Sequence, residues 1–170
     1  MTIYSKTELE GIDNRIYRIQ RDLNNRIEWS NFDIYGRLYI SDDGKFKIAN
    51  AYTSDGEHKD IFFDDKKTAI IGFIVDDNRD GINISVVPVN IVCSCKIDKI
   101  YNSGNMNDEN IIQSLLSVVS RHTHSQSKCF IKIGLSNVFS KVSYERFKYR
   151  DLYPWMCVSI QFNLIYKNNI

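Results

Sequence analysis

Cys93-Ser94-Cys95 and His122-Thr123-His124 supply two thiols and two imidazoles, the ligand types of a zinc site. Their spacing argues against one. A Cys-x-Cys pair on a strand points both sulfurs to one face, whereas structural zinc sites draw their cysteines from tight knuckles in turns. Two core cysteines and two surface histidines are expected instead. Asp76-Asp77-Asn78-Arg79-Asp80-Gly81 has the alternating oxygen donors and the glycine of a calcium loop. Its second half fails, because Val87 stands where that loop needs a bidentate Glu. A charged hairpin turn is expected there, with no metal. For covalent catalysis the chain offers no Gly-x-Ser-x-Gly elbow and no Cys/His pairing. A two-histidine phosphoesterase would need a second His-x-Thr/Ser element, which His58-Lys59-Asp60 does not provide. There is no Gly-rich phosphate loop either. The expectation is a protein that is not an enzyme and carries no cofactor.

One segment stands apart from these fragments. Tyr144-Glu145-Arg146-Phe147-Lys148-Tyr149-Arg150-Asp151-Leu152-Tyr153-Pro154-Trp155 interleaves aromatic with basic residues. Such a mixture stacks single-stranded bases in some proteins. Tyr, Trp and Arg are also the residues that dominate protein–protein contacts. Net charge decides between the two: at +1, the chain has no broad field to hold nucleic acid. A protein interface is expected, with Arg146, Tyr149, Tyr153 and Trp155 as its anchors.

The totals set the frame for these residues. At 170 residues, with 43% hydrophobic and 25% charged, the chain is long enough for one domain with a real core. Its first residues, MTIYSKTELEGIDNR, lack the apolar stretch of a signal peptide, and no apolar run reaches bilayer length. The four cysteines are therefore expected as reduced thiols in a reducing compartment, or in a particle assembled there. No membrane partner is expected. Ala occurs only at 49, 51 and 69 while Ile, Asn and Lys abound, a bias of AT-rich genomes.

No repeat or linker divides the sequence, so residues 1–170 read as a single domain. Leu9, Ile12, Ile16, Ile19, Leu23 and Ile27 recur at three and four, which predicts a helix from Lys6 to Glu28. Its stripe must dock on the chain's own sheet or on a neighbouring subunit. Ile34–Ile40 and Lys45–Tyr52 flank Asp42-Asp43-Gly44 and predict a hairpin. Thr53–Lys59 reads as an exposed loop, and Thr68–Val75 as a strand. Ile82–Tyr101 is long for one strand, and its apolar parity switches near Pro88, where a bulge or bend is expected. Asn107 caps a second helix running from Asp108 to Arg121, with Ile111, Ile112, Leu115, Leu116, Val118 and Val119 on its apolar face. Cys129–Leu135 and Trp155–Tyr166 close the chain as strands, the latter with one buried and one polar face. The whole is α+β: a mostly antiparallel twisted sheet with long hairpins, an N-terminal helix and one amphipathic helix packed on it.

This layout resembles the neck, tail-completion and tail-terminator proteins of tailed bacteriophages. The likeness spans most of the chain: an N-terminal helix, hairpins, a long strand reading Val86-Val87-Pro88-Val89-Asn90-Ile91-Val92-Cys93, one amphipathic helix, then strands. Asp151-Leu152-Tyr153-Pro154-Trp155, leading into Val158-Ser159-Ile160-Gln161-Phe162, is similar to the Asp-x-x-Pro-aromatic lead into their last strand. With the Ile/Asn/Lys bias, the resemblance implies a crAss-like phage of gut Bacteroides. It further implies a structural virion protein, assembled in the host cytoplasm as a homo-oligomeric ring at the portal–tail junction. Portal, other neck or tail-tube proteins would be its neighbours, and DNA would pass through the lumen with passive contact only. Two other functions stay open from the residues: a small monomeric phage protein that binds and inhibits a host protein, and a metal-dependent enzyme.

Overall fold

The computed structural model describes residues 1–76, 84–101, 107–123 and 128–167. Strand β1 (Thr2–Tyr4) precedes helix α1 (Gly11–Arg26), so the helix begins later than the apolar stripe suggests. The reason is tertiary. Thr2–Tyr4 lies parallel to the start of β2 (Phe32–Asp42), and the Tyr4 ring stacks on Tyr35 at 4.5 Å. Gly11 then turns the chain into the helix at φ 52°, a value that favours glycine. Ile12, Ile16, Ile19 and Leu23 are buried on the chain's own sheet, which answers where the stripe docks. Each such side chain is worth roughly 1.5–3 kcal/mol. Gln20 shares their face, and its amide donates to the carbonyls of Tyr4 and Ile34 at 3.0 and 3.1 Å. That pair of bonds ties helix, β1 and β2 together.

The Asp42-Asp43-Gly44 hairpin forms as its sequence dictates, joining β2 to β3 (Lys47–Thr53). The Asp43 side chain accepts from the backbone N–H groups of Lys45 and Phe46 and closes the turn. Thr53–Lys59 is not a free loop: Gly56–His58 returns as β4, antiparallel to β3. A helical turn, Ile61–Phe63, leads to β5 (Ala69–Val75). β6 (Ile84–Lys96) runs antiparallel to β5 and ends in a short helix, α2 (Ile97–Ile100), rather than continuing to Tyr101.

No bulge interrupts β6 at Pro88. Its register with the last strand, β8 (Trp155–Lys167), is continuous from Ile84↔Lys167 to Lys96↔Trp155. The apparent change of parity has another cause: Ile84 and Val86 are exposed, while Val87, Val89, Ile91, Cys93 and Cys95 share the buried face. Proline is tolerated because the Pro88 carbonyl accepts from the Asp76 N–H, where the β5 ladder has ended. Its missing N–H therefore faces a place where no strand donor is needed. Ile82 and Asp77–Gly81, most of the proposed calcium-like turn, lie outside the described residues.

Helix α3 (Asp108–Val119) buries Ile111, Ile112, Leu115, Val118 and Val119, while Leu116 is only partly covered. Strand β7 (Phe130–Ile133) is shorter than the sequence suggests, because Gly134, at φ 90°, turns Leu135 into the short helix α4 (Leu135–Val138). A 3-10 segment, Glu145–Asp151, and a cis Tyr153–Pro154 peptide lead into β8.

The architecture is α+β, with one mostly antiparallel sheet in the order β4-β3-β2-β5-β6-β8-β7 and β1 added beside β2. The β1–β2 and β2–β5 pairs are parallel. α1 and α3 cover one face over a core drawn from all the long strands. The other face was expected to be polar along β8, yet it carries a second core. Tyr35, Leu38, Ile70, Val92 and Cys157 pack there beneath Phe62, Leu135, Phe139 and Phe147. Close approach beneath that layer needs Gly72, since a Cβ there would sit 2.7 Å from Leu38 Cδ1. No helix among the described residues is long and apolar enough to cross a membrane.

Candidate functional site

The aromatic-basic segment folds inward more than its composition suggests. Phe147 and Arg150 are spaced by three, so a helical turn aims both at the sheet, and both are buried. Arg150 is fully enclosed. One guanidinium nitrogen donates to Ser94 Oγ at 3.0 Å, and another meets Asp65 at 2.6 Å. Its Nε finds no partner among the described residues. The Trp155 ring carries the guanidinium of Arg150 at 4.2 Å and the Lys96 ammonium at 4.6 Å. Tyr149 donates its hydroxyl to Asp65 and meets Trp155 edge-on. Burial opposes the charged form of Asp65, but the bonds from Arg150 and Tyr149 outweigh it and hold the carboxyl below its ordinary range.

Arg146 also has internal partners. It pairs with Asp60 at 2.7 Å, and its guanidinium lies over Phe46 and Phe63 at 4.3 and 4.5 Å. The structure thus brings Arg146, Tyr149 and Trp155 together with Arg150 around residues 60–65. Each has a packing reason to be where it is. Arg150, the most deeply buried of the group, escaped the sequence reading, and only its spacing from Phe147 signals it. Tyr153 is set apart: it is 57% exposed, beside Leu152 at 69%.

Tyr153 and Leu152 stand at a corner of the sheet next to β7. Asp151 Oδ1 accepts the Leu135 N–H at 2.8 Å, and the Gly134 N–H donates to the Cys157 carbonyl, so corner and strand are joined. Phe130, Ile131 and Ile133 of β7 are all exposed. Among the described residues β7 pairs with β8 alone, which leaves its outer backbone edge without a neighbour. Such an edge bonds readily to another strand. Exposed apolar side chains thus occur both on this edge and at the Leu152–Tyr153 corner.

The metal-ligand types go elsewhere. Cys93 and Cys95 are sealed in the first core, where the hydrogen bond with Cys93 and burial push the Cys95 thiol well up. All four cysteines are free. His122 meets Asp22 at 2.9 Å across the seam of α1 and α3, and His124 lies outside the described residues. Among the described residues no group of three His, Cys, Asp or Glu side chains is placed to hold a metal ion. Thr53, Asp55 and His58 do cluster, but His58 Nε2 serves both Thr53 and Asp55 at 3.1 Å. A base relay needs its two partners on different ring nitrogens. This cluster locks the β3–β4 turn. Compared with known protein families, curated proteins and solved structures, the chain matches none.

Proposed function

We propose that the chain is a structural protein of a tailed-phage virion, a subunit of an oligomeric ring at the portal–tail junction, in the role of connector, neck or tail terminator. One observation carries the assembly part of this reading: β7, at the end of the strand order among the described residues, exposes Phe130, Ile131 and Ile133, and Leu152 and Tyr153 are exposed as well. A second subunit can continue the sheet there. The two ends of the sheet, β7 and β4, are unlike one another, which suits the head-to-tail contacts that close rings. The phage part rests on the resemblance of layout and on the Asp151–Trp155 lead into β8. Portal or tail-tube rings would stack on the hairpin ends, and DNA in the lumen would be contacted passively. The reading assigns the chain no catalytic step.

The interface anchors shift in consequence. Tyr153 and Tyr149 keep exposed rings, whereas Arg146 and Trp155 are engaged within the subunit. Ile131→Lys with Tyr153→Ala changes only exposed side chains and should leave the fold intact. Mass photometry of the purified wild type should show rings, and the double variant should show monomers and no incorporation into particles. An interface residue of this kind contributes on the order of 2 kcal/mol, about thirtyfold in affinity. A wild-type protein that stays monomeric at all concentrations and is missing from virions would reject the ring and favour an inhibitor of a host protein.

A further inference from the structure

A second feature lies on the outward side of α1. Ile12, Ile16, Ile19 and Leu23 turn one side of that helix to the sheet. Arg15, Arg18 and Arg21 recur at intervals of three on its remaining surface, and Arg26 ends the row. Four of the chain's nine arginines therefore stand on this one helix, which has no lysine. Arg18, Arg21 and Arg26 are exposed, and Arg15 is half-buried. Arg26 suits the negative end of the helix dipole, but the other three lie too far from that end to share the benefit. Like charges three residues apart repel one another and weaken a helix. Unrelieved repulsion of that kind points to an anion outside the chain.

The chain's own carboxylates do not relieve it. Asp13 and Asp22, the two acids of α1, turn to Lys6 and His122 at 3.1 and 2.9 Å. None of the four arginines forms an ion pair among the described residues. Arg15 Nε is buried and finds no hydrogen-bond partner among them. Neighbouring elements add to the row. Arg121, exposed just past α3, acts with Arg15 as a positive charge on the His122 imidazole. Arg15 and Arg18 also line a recess of about 460 Å³ with the exposed Lys167 of β8; Glu10 lines it too and pairs with none of them among the described residues. No exposed aromatic ring stands on α1 to stack an unpaired base.

We propose that the outward face of α1, with Arg121 and Lys167 beside it, is a contact surface for the phosphate backbone of duplex nucleic acid. Guanidinium forks match phosphate oxygens, a match that lysine does not make. Arg15 to Arg26 spans about 16 Å of helix axis, over which a duplex presents about ten phosphate charges. Contact of this kind reads no sequence. The net charge of +1 does not oppose it, because screening confines each charge's field to about 10 Å. The inference takes its duplex from the portal–tail reading and makes α1 the face that DNA passes, which a ring alone does not specify.

The test is fluorescence anisotropy of a labelled duplex of about twenty base pairs, titrated with the purified full chain at several salt concentrations. Binding should weaken as salt rises, with a log–log slope of about −3 for about three or four neutralised phosphates. Arg18→Gln with Arg21→Gln, both at exposed positions, should weaken binding about tenfold or more and flatten the slope by about two. Lys141→Gln with Lys148→Gln removes equal charge from the layer over the second core and should change affinity less than about twofold. Circular dichroism checks that each variant is folded. Absence of salt-dependent binding overturns the proposal, as does an equal loss in the two double variants. Tighter binding to labelled polyglutamate than to the duplex overturns it too and makes the face a contact for an acidic protein. Ring and contact fail separately. A chain that stays monomeric yet binds the duplex rejects only the ring, and rings without salt-dependent binding reject only this contact.

Discussion

Arg150 holds the Glu145–Asp151 segment against the sheet, and its carboxylate partner is half in water. Asp65 keeps 52% of its side chain exposed while Arg150 has none. The guanidinium was moved out of water on folding, and the ion pair recovers part of that loss. Asp65→Ala should therefore destabilise the protein by on the order of 2 kcal/mol, a figure discounted for the screening that an exposed partner receives. Adding Arg150→Met should restore much of that loss, because an apolar side chain needs no counter-charge. Denaturant titrations of both variants check this. A double variant no more stable than Asp65→Ala would show that Arg150 contributes through packing and Ser94 rather than through its charge. The same residue explains why composition misled: an arginine among aromatics has one appearance in sequence, whether it faces a partner or its own core. Arg146, over Phe46 and Phe63, makes the same point.

Periodic elements were legible, and short ones were not. The stripe of α1, the hairpin at Asp42–Gly44, β5, β8 and the apolar face of α3 each repeat a pattern over several turns or pleats. β1 is three residues long and β4 likewise, too short for any period, and both exist only because a neighbour supplies hydrogen bonds. On α3 the sequence placed Leu115 and Leu116 together on one face. The structure separates them: Leu115 is enclosed and Leu116 sits at the rim. Leu115→Ala should cost about 2–5 kcal/mol and Leu116→Ala about 1 kcal/mol or less, read by denaturant titration. Equal losses would mean that the helix is rotated from this position. Where α3 ends, His122 meets Asp22 of α1. Burial lowers the His122 pKa, Asp22 opposes that change, and Arg15 and Arg121 add to it, so the net direction is down. The unfolded chain then takes up the proton first. Stability should be complete above about pH 6.5 and decline as pH falls through the folded value. His122→Gln should remove that part of the decline. Parallel pH profiles for variant and wild type would place the loss elsewhere.

At the scale of the whole molecule, the second core was the largest surprise. β8 alternates so cleanly that Cys157, Ser159 and Gln161 look like a solvent face, yet Cys157 is buried beneath the second layer. The covering residues Phe62, Leu135, Phe139 and Phe147 come from short, irregular segments without a period of their own. The edge and corner proposed for assembly were half legible. Tyr153 stood out by composition, but the exposure of β7 depends on where the strand order ends. The layering has a consequence for the chain's slowest motions. The inner part of β6 has a ladder on each side, from β5 and β8, and is covered above and below. No local fluctuation can bare those amides, so the deuterium uptake of Ile91–Cys95 should follow global unfolding alone. The amides of β7, with one neighbouring strand among the described residues and four exposed side chains, should exchange orders of magnitude faster in an isolated subunit. Assembly along that edge would slow their exchange and leave β6 unchanged. A single exchange profile, taken free and in the particle, thus separates the unit that holds the fold from the edge left for another chain.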